Sequence, residues 1–129
     1  MEKYPKISDA EWQVMKQLWN DHPTSANEIV KKLEKTVSWK PKTVKTLINR
    51  LVQKKAIGFE KQGRSHLYFP LVAEQEIVRE ESRSFLNRFF GGTLTPMLAS
   101  LIENRDLSEN EIKELKEMLN KATKEVKER

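Results

Sequence analysis

Apolar residues recur along the chain with the period of amphipathic helices, broken once by a short alternating stretch. Val44, Leu47, Ile48 and Leu51 fall at i, i+3, i+4 and i+7, one face of a helix that opens at Pro41. Proline suits the first helical turn, where its missing N–H has no partner to lose. Upstream, Ser8-Asp9-Ala10-Glu11 has the form of a capping box and predicts a helix start. That helix is expected to bury Trp12, Met15, Leu18 and Trp19, with Val14 on its flank, and to end at His22-Pro23. Ser25-Ala26-Asn27-Glu28 predicts a second boxed start, with Ile29, Val30 and Leu33 inward and Lys31, Lys32 and Lys35 outward. Val37-Ser38-Trp39 reads as a short extended piece able to pair with a hairpin. The hairpin itself runs in through Ile57, Phe59 and Lys61, turns at Gln62-Gly63-Arg64-Ser65 and returns through His66-Leu67-Tyr68-Phe69. Gly63 supplies the positive φ of a tight turn.

After Pro70-Leu71-Val72 the pattern is helical again. Ile77, Val78, Phe85, Leu86, Phe89 and Phe90 fall on one side of a helix stopped by Gly91-Gly92. Thr95-Pro96 starts a short helix with Met97, Leu98, Leu101 and Ile102. Ser108-Glu109-Asn110-Glu111 boxes a last helix with Ile112, Leu115, Met118, Leu119 and Ala122 in one stripe. The charged tail KEVKER is expected to fray. The order helix, short helix, helix, hairpin is that of a winged helix-turn-helix. The predicted fold is therefore mostly α with a small β-hairpin wing: a winged-helix module over residues 1–72 and a three-helix region over 73–129.

The polar face of the helix at Pro41 carries Lys42, Thr43, Lys45, Thr46, Asn49, Arg50 and Gln53, and no acid. A face that is only solvated more often mixes glutamate with lysine. Cations for phosphates and guanine edges, with short polar groups for close approach to bases, suit a helix in a DNA major groove. Arg64 at the hairpin tip either reaches a phosphate or the minor groove, or is idle in solvent. Charge supports the first reading. The chain has 24 Lys+Arg and 19 Asp+Glu, net +5. Residues 1–72 hold 14 and 7 of these, a balance of +7, and residues 73–129 hold 10 and 12, a balance of −2. The excess lies in the half with the basic helix, the electrostatic footprint of a nucleic-acid-binding module.

At 129 residues, 37% hydrophobic and 33% charged, the chain has core material for one modest domain with an appendage. Cysteine is absent, which removes disulfides, thiolate metal sites and cysteine nucleophiles. No apolar run reaches the length of about 18 residues of a membrane span. The N-terminus, MEKYPKISDAEW, lacks a leader's apolar segment. A cytoplasmic protein without membrane insertion is expected. His22 and His66 stand far apart and make no metal site, and no phosphate loop, metalloprotease motif or nucleophile elbow occurs. Glu74, Glu76, Glu80 and Glu81 read as solvated helix faces. Tyr68 is open between a contact to the nucleic-acid backbone and the core. No enzyme, cofactor or metal is expected.

About fifty residues in three striped helices are hard to stabilise alone. The stripes either fold back on the first module or meet the same stripes of a second copy. A homodimer is expected, with Phe85, Leu86, Phe89, Phe90, Met97, Leu98, Leu101, Ile102, Ile112, Leu115 and Leu119 at its interface. Two basic helices about 34–36 Å apart would read an inverted repeat in double-stranded operator DNA. The alternative is a winged-helix protein-interaction module with no specific operator.

The stretches ISDAEWQVMKQLW, SANEIV, WKPKTVKTLINRLVQKKAI, GRSHLYFPLV, SFLNRFFGGTL and DLSENEIKEL resemble the penicillinase repressor family over residues 7 to about 122. That family includes repressors of beta-lactamase and methicillin-resistance genes and, more distantly, copper-responsive repressors. The resemblance implies a dimeric repressor with an N-terminal winged helix, released in the antibiotic branch when a membrane-bound sensor leads to cleavage of the C-terminal region. Its DNA-facing helix positions match Lys42, Thr43, Lys45, Thr46 and Arg50, and its wing matches Gly63 and Arg64. Relatives often place a capping serine before the proline; here Lys40 stands there, losing the cap and offering a phosphate contact. The family's Asn-Phe cleavage bond falls at Ser100-Leu101, where neither residue matches. The copper branch's cysteine cluster has no counterpart.

Overall fold

A computed structural model describes residues 4–128. Met1, Glu2 and Lys3 of the N-terminal stretch, and Arg129 of the tail, lie outside the described residues. The elements are α1 (Asp9–Asn20), α2 (Ala26–Leu33), α3 (Pro41–Gln53), β1 (Ile57–Gln62), β2 (Ser65–Pro70), α4 (Glu74–Phe90), α5 (Thr95–Glu103) and α6 (Glu109–Lys127). Two compact units divide between Glu81 and Ser82, inside α4.

In the first unit α1, α2 and α3 pack on one another and on the hairpin. The spacing of apolar positions places Val14, Met15 and Leu18 of α1, Ile29, Val30 and Leu33 of α2, and Val44, Leu47, Ile48 and Leu51 of α3 in one core with Ala56, Ile57 and Tyr68. Each fully buried aliphatic side chain contributes about 1.5–3 kcal/mol relative to exposure. The tryptophans depart from expectation. Val14 is fully buried, whereas Trp12 and Trp19 are half-buried at the margin, edge to face with centroids 5.1 Å apart. A tryptophan has a donor to satisfy, and Trp19 Nε1 donates to the Val72 carbonyl at 3.0 Å. The first turns of α4 also belong to this unit: Ile77 is buried and Lys16 Nζ lies 2.8 Å from Glu74 Oε2.

Three helix starts form as their residues dictate, with one difference. Ser8 and Ser108 make complete capping boxes with Glu11 and Glu111. At Ser25 the hydroxyl accepts from the Glu28 N–H at 3.2 Å, and the reciprocal carboxylate bond is not made. Helix α3 starts at Pro41 behind Lys40, which gives no side-chain cap.

The antiparallel hairpin pairs Ile57 with Pro70 at its base and Gln62 with Ser65 at its tip. Gly63 and Arg64 are the two loop residues, and Gly63 has φ +61°, the left-handed conformation such turns need at their first loop position. The third contribution to this sheet differs from expectation. Val37-Ser38-Trp39 is irregular and joins no strand. Instead Thr24 bridges Tyr68, with N–H to carbonyl distances of 3.0 and 2.8 Å. The segment just after the α1–α2 turn reaches β2 first, while Val37 and Trp39 pack half-buried against the core.

In the second unit α4 ends at Phe90 and Gly91 and Gly92 follow with φ +62° and +84°. Helix α6 runs to Lys127, so the described part of KEVKER is helical as far as that residue, with Lys124 and Lys127 in the last turn, where cations complement the free carbonyls. No described residue of this unit is buried. Phe85, Phe89, Ile102 and Leu119 are exposed, and Leu86, Phe90, Met97, Leu98, Leu101, Ile112 and Leu115 half-buried. On α4, Ile77 and Val78 part company: the first is buried, the second exposed.

Candidate nucleic-acid interface

Packing of Val44, Leu47, Ile48 and Leu51 into the core fixes the rotation of α3 about its axis. The opposite face must then carry Lys42, Thr43, Lys45, Thr46, Asn49 and Arg50, and all are exposed. Lys40 is exposed just before the helix. Among the described residues no ion pair engages Lys40, Lys42, Lys45, Arg50 or Arg64, so these cations hold no carboxylate that a phosphate would have to displace. Thr46 Oγ1 donates to the Lys42 carbonyl at 3.0 Å, which fixes the hydroxyl and leaves its lone pairs free to accept.

The hairpin stands beside this helix because Ala56 and Ile57 continue the core directly from the end of α3. Lys55 adopts φ +65° in the connection, and the Ala56 N–H donates to the Leu51 carbonyl at 3.0 Å. On one face of the hairpin Phe59 stacks on His66, centroids 4.6 Å apart and planes 21° from parallel, with Tyr68 beyond. Gly63 and Arg64 are exposed at the tip.

Helix and hairpin tip are the two parts the sequence singled out. A third part escaped it. The Thr24–Tyr68 bridge holds the N-terminus of α2 against β2. A groove of about 250 Å³ forms where Ala26 and Asn27 of α2, Lys45 of α3, and Arg64, Ser65 and His66 of the hairpin converge, and Tyr68 lines it. No carboxylate lines this groove. Asn27, Ser65 and His66 had no signal beyond polarity, since a single-residue bridge between distant segments leaves no periodic trace. Tyr68 resolves toward the core, at 8% exposure. Ser100 and Leu101 lie within α5. Among the described residues there is no cluster of metal-ligating side chains and no helix long and apolar enough to cross a membrane.

A family profile described as penicillinase repressor matches residues 7–121. The penicillinase repressor of Bacillus licheniformis is 44% identical over 119 residues, 92% of this chain and 93% of that one. The methicillin resistance regulatory protein MecI of Staphylococcus aureus is 38% identical over 116 residues, 90% and 94% of the two chains. The solution structure of the Bacillus licheniformis BlaI monomeric form in complex with the blaP half-operator aligns with TM-score 0.51 and 43% identity, covering 59% of this chain and 93% of that one.

Proposed function

The chain belongs to the penicillinase repressor family, and from that premise we propose that it is a homodimeric transcriptional repressor that binds an inverted-repeat operator. The family is one of repressors, not enzymes. The observation that carries the reading is the exposed, acid-free face of α3, with Lys42, Thr43, Lys45, Thr46 and Arg50 positioned by a buried apolar face directly behind them. Such a helix enters the major groove with its N-terminal half toward the base edges, while Lys40, Gly63 and Arg64 meet the backbone on either side. The B. licheniformis relative binds a half-operator as a monomer, and a half-site per winged helix is the arrangement a two-fold dimer would double.

The dimer rests on α4, α5 and α6. Phe85, Phe89, Ile102, Met118 and Leu119 are exposed, with Phe85 and Phe89 in tilted contact at 5.0 Å. Beyond Glu81 these helices hold no fully buried described residue, and they gain stability by burying these faces against a second copy. Relatives named for penicillinase and methicillin resistance support control of a beta-lactam resistance or related stress response; release by signal-dependent cleavage or dissociation, in the cytoplasm, is the remainder of the proposal. A sensor protease cutting at Ser100–Leu101 would have to open α5 first, because proteolysis favours exposed irregular segments.

The deciding experiment is selection of random duplex DNA by the purified full chain at about 0.15 M salt, where non-specific phosphate binding is suppressed. An enriched inverted repeat is the expected result. A folded protein that enriches nothing would point to a protein-interaction module instead.

A further inference from the structure

We propose that Asn49 of α3 is a base reader. Its carboxamide pairs with N6 and N7 of an adenine in the major groove and makes each half-site specific for an A·T pair at that step. The inference rests on the operator-binding reading above and deepens it. Asn49 is not among the helix positions that the family resemblance singles out.

The buried stripe of α3 decides which way each polar residue points. Val44, Leu47, Ile48 and Leu51 are buried, none more than 5% exposed. At about 100° of rotation per residue, Lys42, Thr46, Asn49 and Gln53 lie within about 30° of the direction opposite that stripe. Lys45 and Arg50 lie about 70° to either side of it, and Thr43 about 90°. A long side chain such as Arg50 reaches a base edge from the flank. A short one reads bases only from the midline, where the helix faces the floor of the groove.

The four midline residues differ in what they can do. Lys42 is a single cation in the first turn. The Thr46 hydroxyl gives its one proton to the Lys42 carbonyl at 3.0 Å and can only accept. Asn49 and Gln53 carry carboxamides, each with two donors and an acceptor in one plane, the complement of adenine N7 and its N6 amino group. Gln53 is the last residue of α3, and recognition helices meet base edges nearer their N-terminal end. Asn49 stands about 4.5 Å beyond Thr46 along the axis, so the two address different base pairs. It is exposed, and among the described residues its carboxamide has no hydrogen-bond partner. Helix propensity agrees. Asparagine is a poor helix former that suits caps and turns, yet Asn49 lies inside α3 and caps neither end. It lowers helix stability with no compensating contact within the protein, and a base edge supplies that contact.

The test runs the random-duplex selection in parallel on the full-length parent, Asn49→Ala and Asn49→Arg. The parent should enrich an adenine at one fixed step of each half-site. Asn49→Ala should keep the rest of the motif, lose preference at that step alone, and bind the parent's duplex roughly 5- to 150-fold more weakly. Asn49→Arg should move the preference at that step to guanine, which arginine reads with two hydrogen bonds. Melting temperatures should not fall, because the side chain is exposed and alanine and arginine are better helix formers. A second measurement needs no fold change at all. Replacing that adenine by 7-deazaadenine removes the N7 acceptor and should weaken the parent several-fold while leaving Asn49→Ala nearly unaffected. A residue with only a structural role would lower affinity for every sequence alike and shift no single base. A parent motif without such an adenine, an Asn49→Ala motif identical to the parent's at every step, or a parent indifferent to 7-deazaadenine overturns the assignment and leaves the operator reading standing. A parent that enriches no duplex overturns the operator reading and the assignment with it.

Discussion

Lys54, the residue that closes α3, donates from Nζ to Glu11 Oε1 at 2.5 Å and to the Lys6 carbonyl at 2.9 Å. The end of α3 is thereby tied to the first turn of α1. Glu11 is 1% exposed, and its Oε2 has no partner. Removing the ammonium leaves a carboxylate buried without its counterion. Lys54→Met should destabilise the protein by roughly 1–3 kcal/mol. Urea unfolding would show this as a lower midpoint at unchanged slope.

The same pair gives a pH dependence. Burial alone pushes the Glu11 carboxyl up, but hydrogen bonds from Lys54 and Ser8 and the Lys54 charge outweigh it and hold the carboxyl below its ordinary value of 4.5. The folded state thus binds this proton less readily than the unfolded chain. The stabilisation is complete above pH 4.5 and is lost as pH falls through the folded value. Acid unfolding of Glu11→Gln should be correspondingly less steep below pH 4.5 than that of the parent. Parallel curves would remove Glu11 as the group responsible.

Phe89→Ala and Leu119→Ala test the association of α4–α6. Both side chains are exposed in the single chain, where truncation should change stability by no more than about 0.5 kcal/mol. In a dimer they become buried. The parent's melting temperature should then rise with protein concentration, and the double variant's should rise less. Equal and concentration-independent melting in both proteins would exclude a dimer through this face.

Arg50→Ala and Thr46→Ala should each weaken binding to the selected duplex by about 1–3 kcal/mol and relax preference at particular bases. Lys42→Ala should weaken selected and scrambled duplexes alike and lower the salt dependence by about one ion. Melting should not move in any of them, because all three side chains are exposed. Titration by fluorescence anisotropy at several salt concentrations separates the two behaviours.

Gly92 has φ +84°, and a Cβ there would lie 2.9 Å from Asn87 Oδ1. Gly92→Ala should cost about 1 kcal/mol or more through the left-handed backbone, with the Asn87 side chain displaced. Gly63→Ala carries the same backbone strain at φ +61° but meets nothing within 4 Å. It should be the milder change when both are compared by thermal unfolding.

What could be read in the sequence was what local chemistry decides. Ser8 and Ser108 cap where they were expected to, Pro41 opens α3, and Gly63 turns the hairpin. Periodicity placed Leu47, Ile48 and Leu51 inward and so oriented the basic face. What escaped were relations between distant segments. Thr24, not Val37–Trp39, reaches Tyr68, because one backbone pair has no repeating pattern. Glu11 looked like a cap and nothing more, yet it is also the buried partner of Lys54, a residue 43 positions away. Trp12 and Trp19 were expected on the buried face of α1 with Val14 on its flank, but the narrow inward stripe went to Val14, Met15 and Leu18.

Lys40 leaves α3 without a side-chain cap, while Lys54 anchors its other end. The two ends should therefore differ in hydrogen exchange. Amides of the last turn open only with the core, and those of the first turn open locally, at low cost. In recognition helices the first turns are the ones that approach base edges. The uncapped end can adjust to a sequence and lose entropy on doing so, which makes part of the affinity a measure of how well a given site orders it.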